Sequence, residues 1–165
     1  MKTYNDLNKD YQGGDLDLSN EGLNSLDGCP EHITGVFNCF HNNNLTSLVG
    51  GPKQVDGNYL CGNNLLTDLV GCASHIDGRL WFRDNPITSL VGIHKIIKSC
   101  KSIVFEDSRI TVGGIGLLLI DDLIHISDYS MGFKIISKYI GQGTKGMMAC
   151  RAELISKGYD NYAKL

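Results

Sequence analysis

Between Gly14 and about Ile110, apolar residues fall in pairs separated by one position, and the pairs recur roughly every 21 residues. They are Leu16/Leu18, Phe37/Cys39, Tyr59/Cys61, Leu80/Phe82 and Ile103/Phe105, at spacings of 21, 22, 21 and 23 residues. Alternation over so short a run marks a strand whose paired side chains face a core while the residues beside them face out. A unit of this length cannot bury its apolar face alone, so successive coils must stack, and the period predicts a solenoid. The copies Gly57-Asn-Tyr-Leu-Cys-Gly-Asn-Asn and Gly78-Arg-Leu-Trp-Phe-Arg-Asp-Asn superpose without a gap.

Three residues after each pair stands a polar position: Glu21, Asn42, Asn64, Asn85 and Ser108. Asparagine in the three central copies satisfies backbone groups that a tight bend leaves unpaired, in its own turn and the next. End coils, having one neighbour, dispense with it. Leu23, Leu45, Leu66, Ile87 and Ile110 follow, then Leu26, Leu48, Leu69 and Leu90, all directed inward with the strand pairs. Gly28, Gly50, Gly71 and Gly92 mark corners, and Ile33, Val55, Ile76 and Ile97 lie five residues beyond them. The second coil holds one extra residue before Leu45 and the step from Leu80 to Ile103 is two longer, so a small bulge is expected at each.

After Ile115 the period becomes helical. Leu117, Ile120, Leu123 and Ile124 share one face, Phe133, Ile136 and Ile140 another, and a further helix is expected from Lys145 to Lys157 with Gly158 as its stop. The expected organisation is an α/β solenoid of about five coils of 21–23 residues with a short parallel sheet: cap 1–13, solenoid 14–113, helical cap 114–165.

Tyr59-Leu-Cys-Gly-Asn-Asn-Leu-Leu-Thr-Asp-Leu and Phe37-Asn-Cys-Phe-His-Asn-Asn-Asn-Leu-Thr-Ser-Leu resemble the leucine-rich repeat of the short bacterial type, LxLxxNxLxxL, over about 60 per cent of the chain. The flavour L-T-S-L-V-G-G-P is similar to repeat proteins encoded by bacteriophages and other large viruses. That resemblance implies a binding solenoid whose partner is a host defence or regulatory protein, and it assigns no activity. Cys or Phe often replaces Leu, and Gly113 stands where the fifth copy needs its second leucine.

An apolar fraction of 42% excludes a disordered chain. No run approaches the roughly 18 apolar residues of a membrane span, and the first ten residues lack a secretory core, so a cytoplasmic protein is expected, in the host cytoplasm if viral. Residues 1–128 hold 9 basic and 16 acidic groups, and residues 129–165 hold 6 and 2. An acidic solenoid argues against duplex nucleic acid.

The cysteines, at 29, 39, 61, 72, 100 and 150, follow the repeat without any CxxC and read as small buried hydrophobes, so no metal, disulfide or cofactor is expected. Gly141-Gln-Gly-Thr-Lys-Gly departs from a Walker loop and reads as an interhelical turn. Cys150 falls on the inward stripe of its helix, and the five histidines occupy different repeat positions, so no nucleophile–base constellation emerges.

The outward strand positions carry the functional reading. Coil by coil they are Asp17 and Ser19, Asn38 and Phe40, Leu60 and Gly62, Trp81 and Arg83, Val104 and Glu106. Strand spacings of roughly 5 Å gather Leu60, Trp81 and Val104 into one apolar column, which Phe40 joins if its bulge permits, with Arg79, Asp84 and Asp107 as a charged margin. Tryptophan beside leucine, valine and arginine has the composition of an interface hot spot. The expected function is noncatalytic binding of a protein partner through this face. The alternatives are cover of the same column by the C-terminal helices or by a homodimer, a sponge for a nucleotide signal, and a homo-oligomeric structural protein.

Overall fold

The computed structural model describes residues 1–106 and 109–165, and the chain winds into an α/β solenoid of about five coils followed by helices. The inward pairs form the principal row of parallel strands: β1 (Leu16–Asp17), β3 (Phe37–Asn38), β5 (Tyr59–Leu60) and the C-terminal part of β6 (His75–Trp81). The register follows the repeat, with Leu16, Phe37, Tyr59, Leu80 and Ile103 aligned, the last in β7 (Ser99–Val104). A second row, β2 (His32–Ile33) and β4 (Gln54–Val55), joins the first halves of β6 and β7. Ile33, Val55 and Ile76 are its inward residues, and Cys100 rather than Ile97 continues their register, although Ile97 is also buried.

Three asparagines tie the coils together from inside. Asn42 Nδ2 donates to the Leu18 carbonyl at 2.9 Å and to its own coil's Cys39 carbonyl at 3.0 Å, while its Oδ1 accepts the Leu23 N–H at 2.9 Å. Asn64 donates to Cys39 and Cys61 at 3.1 and 3.0 Å, and Asn85 to Cys61 and Phe82, both at 2.9 Å. Each therefore reaches its own coil and the preceding one. The extra residue in the second coil is absorbed here: the Leu45 N–H turns to the Asn42 carbonyl at 2.8 Å, and Asn64 Oδ1 takes the Asn42 N–H at 2.7 Å instead.

Glu21, at the same repeat position, serves the N-terminal cap. It pairs with Lys2 at 3.5 Å and Lys9 at 2.9 Å, and the cap's short 3-10 turn Tyr4–Leu7 buries Tyr4, whose hydroxyl donates to the Lys9 carbonyl. Ser108 lies outside the described residues.

The other irregular step combines two features. A single turn of helix, α1 (Ile93–Ile96), follows Gly92 with Ile93 buried and Lys95 exposed, and the expected bulge is present as a register shift between β6 and β7, where Ile76 pairs Cys100 but Arg79 pairs Ser102. The sheet also continues past Gly113. Ile115–Leu119 is a 3-10 turn, and β8 (His125–Ser127) aligns Ile126 with Ile103, so the first expected helix is instead part of a further strand-bearing segment that leaves Ile124 exposed. Helices α2 (Met131–Ser137) and α3 (Gly143–Ser156) then close the end, with Gly158 in the left-handed region stopping α3.

An aromatic relay carries the solenoid core into these helices. Phe82 stacks on Phe105 at 5.4 Å, Phe105 meets the α2 residue Phe133 edge-on at 4.7 Å, and Phe133 meets Tyr162 at 5.2 Å. No helix among the described residues is long and apolar enough to cross a membrane.

The asparagine contacts give a stability test. Asn64→Ala strands the buried Asn42 N–H and removes one of the two donors to each of the Cys39 and Cys61 carbonyls, so thermal or urea unfolding is expected to show a loss of about 2 kcal/mol. Glu21→Ala, which breaks only partly exposed ion pairs, is expected to leave the midpoint nearly unchanged.

Candidate functional site

On the outer surface of the principal row, the strand register builds a column Asp17–Asn38–Leu60–Trp81–Val104–Ser127. Its first two members are joined by a hydrogen bond, Asn38 Nδ2 to Asp17 Oδ1 at 3.1 Å. Each also accepts an N–H two residues on, Ser19 to Asp17 at 2.9 Å and Phe40 to Asn38 at 3.1 Å, and the Ser19 bond holds the Asp17 carboxyl below the ordinary aspartate range. Leu60 and Trp81 replace these polar side chains in the next two coils, so the column turns from a hydrogen-bonded ladder to an apolar surface.

Phe40 joins that surface through a missing side chain. A Cβ on Gly62 would lie 2.6 Å from Phe40 Cε2 and 3.0 Å from the Arg83 carbonyl, so the phenyl ring lies across the glycine of the next coil. His41 meets the ring edge-on at 4.4 Å. Trp81 is half-buried, and the Arg83 guanidinium sits over its indole at 4.8 Å from the ring centre. Arg83 Nε lies 3.5 Å from Asp84 Oδ2, a separation that holds the charges together without a hydrogen bond. Trp81 Nε1 is buried and makes no hydrogen bond among the described residues.

Phe40, Leu60, Trp81 and Arg83 are thus brought together, with Arg79 and Asp84 exposed at the margin. Arg79 is fixed through its N–H, which donates to Asn58 at 2.9 Å, and Asp84 accepts from Asn63 at 3.3 Å. Val104 holds the expected register but is buried, so the open apolar surface ends at Trp81. Glu106 is exposed and accepts from Ser127 Oγ at 2.9 Å, which ties it to the last strand instead of to Trp81. Asp107 lies outside the described residues.

The thiols belong to the core. All six cysteines are free; Cys39, Cys61, Cys72, Cys100 and Cys150 are buried and Cys29 is half-buried. Burial pushes the Cys29 thiol up to about 12 and Cys150 to about 11, opposite to the direction that activates a nucleophile. Among the described residues no cluster of His, Cys, Asp and Glu is placed to hold a metal ion. The Gly141–Gly146 stretch spans the turn into α3 and that helix's first residues, with Gly141 and Gly143 both at positive φ.

Sequence reasoning missed a second apolar surface. Val49, Val70 and Val91 are exposed, one per coil, beside the inward leucines at 48, 69 and 90. Their signal was the recurring valine between that leucine and the corner glycine. The chain matches no protein-family model, no curated protein and no solved structure.

The thiols also set a pH dependence. Their folded pKa values lie above the ordinary thiol value of about 8.5, so the folded state keeps protons that the unfolded chain releases. Their stabilisation is whole below about pH 8.5 and is lost progressively as the pH climbs toward the folded values. Melting under reductant is expected to show a falling midpoint between about pH 8.5 and 11, with a shallower fall in Cys39→Ala/Cys61→Ala; identical slopes would show that the thiols are not responsible.

Proposed function

We propose that the chain is a noncatalytic binding module that docks a partner protein on the surface made by Phe40, Leu60, Trp81 and Arg83. The observation that carries this reading is the half-buried Trp81 indole lying under the Arg83 guanidinium on a strand fixed by neighbours on both sides. Tryptophan and arginine dominate the energetics of protein interfaces, and a rigid strand spends little ordering entropy on docking. Phe40 and Leu60 extend the apolar area, Arg79 and Asp84 supply a polar rim, and Asp17 and Asn38 close its N-terminal end.

The resemblance to phage-encoded repeat proteins extends the proposal to the partner, a host defence or regulatory protein. A thiol enzyme centred on Cys150 is disfavoured, because that residue is buried and its thiol resists ionisation. A nucleotide sponge lacks a matching feature on this surface, where the two arginines are separated by the indole and one of them faces Asp84.

Trp81 is the chain's one tryptophan, so its emission reports this site alone. Capture from lysate of the organism in which the chain is expressed naturally, followed by titration of the captured protein, is expected to shift that emission. Arg83→Ala is expected to weaken binding at least about tenfold, and Trp81→Ala to abolish capture, with the melting midpoint of each retained. Full binding by both folded variants would overturn the reading.

A further inference from the structure

Where each coil runs from its second inward leucine to its corner glycine, one branched side chain stands in solvent. Val49, Val70 and Val91 are 54%, 52% and 48% exposed. One local bond positions them all: Ser47 Oγ, Asp68 Oδ1 and Ser89 Oγ accept the N–H of the valine two residues on, at 3.2, 2.8 and 3.2 Å. Ser25 does the same for Asp27 at 3.1 Å, so Asp27 heads the column in the first coil.

The glycines that follow set a close stacking of these corners. A Cβ on Gly50 would meet the Asp27 backbone at 2.9 Å, one on Gly71 the Val49 nitrogen at 2.3 Å, and one on Gly113 the Val91 nitrogen at 2.5 Å. Asp27, Val49 and Val70 therefore form a close-stacked ridge, and Val91 continues it after a wider step, since a Cβ on Gly92 would meet no atom of the Val70 corner within 4 Å. Between the third and fourth coils, a cavity of about 40 Å³ beside the ridge is lined by five apolar residues, Val91 and Ile96 among them, and by the polar Asp68 and Ser89. That is far below the roughly 300 Å³ of a metabolite site and close to the volume of one aliphatic tip.

The ends of the ridge carry opposite charge. Asp27 stands at its head, and at its foot α1 brings Lys95 alongside Gly92, with the lysine Cδ 4.0 Å from where a glycine Cβ would lie. A ridge with an acidic head, an apolar middle and a basic foot is complementary to its own inverted copy. A two-fold axis between Val49 and Val70 sets Val49 against the second copy's Val70 and brings Asp27 to the level of the second copy's Val91 and Gly92, beside which Lys95 stands, and symmetry makes each contact twice.

We propose that this valine ridge is a self-association surface, occupied by a second copy of the chain packed antiparallel on it. The two-fold arrangement covers the exposed valines and leaves the Trp81 surface, on another side of the coil, free for a different protein. Self-association here stands or falls independently of the partner reading.

Sedimentation equilibrium of the full chain tests it. The wild type is expected to be dimeric at tens of micromolar, roughly the affinity of a small interface. Val70→Lys is expected to be monomeric with unchanged circular dichroism and melting midpoint. Asp27→Lys and Lys95→Asp are each expected to weaken association about tenfold or more at low salt, and the double reversal to restore it to within about threefold. A monomeric wild type at about 100 µM overturns the proposal, and so does a dimer that survives Val70→Lys, a double reversal that fails to recover, or a dimer dissociated by Trp81→Ala instead.

Discussion

A chain that turns back on itself every twenty-odd residues leaves carbonyls and amides in its bends that no strand partner reaches. Buried without a partner, each costs as much as a good hydrogen bond gains, and stacking the coils multiplies the number of such groups. Asn42, Asn64 and Asn85 resolve this, because a carboxamide offers donor and acceptor together on one short side chain. Leucine at those positions would bury more apolar area and orphan the bend; aspartate would offer no donor to the carbonyls. The apolar columns stack as they do because this polar column lets the bends be buried.

On that frame, the same strand positions carry different chemistry in different coils. The inward column narrows from Leu18 to Cys39 and Cys61 and then widens to Phe82 and Phe105, the last of which meets Phe133 of the cap. Gly114 and Gly132 make room for that junction, since a Cβ on either would lie 2.6 Å from the Phe133 or Tyr162 ring. The outward column changes in the opposite sense, polar where the coils are capped by the N-terminus and apolar at Leu60 and Trp81. The scaffold stays fixed while its interior and its exterior vary independently from coil to coil.

The principal strands and the asparagine column were legible because their signals are local: two apolar residues with one between, then a polar residue that must face inward. The second row of strands gave no such signal, since His32–Ile33 and Gln54–Val55 each offer one inward residue and hence no alternation. The strand at 125–127 was hidden for the same reason, with Asp128 standing where the pair's second apolar member belongs. The turn at Ile93–Ile96 is too short for helical periodicity to declare itself. Of the candidate surface, the order of the column followed from the repeat, and Phe40, Leu60, Trp81 and Arg83 do lie together. The burial of Val104 did not follow, because exposure depends on neighbours that alternation within one strand does not encode.

The asparagine bonds also have a direction. Asn42 completes the first coil, Asn64 the second and Asn85 the third, each reaching back along the chain. A coil leaving the ribosome is therefore chemically unfinished until the following one emerges, and its bend must wait in water with a backbone N–H open. Winding during synthesis runs one turn behind elongation. The same polarity means that a chain cut short leaves its defect in the coil before the cut, where the sequence itself is intact.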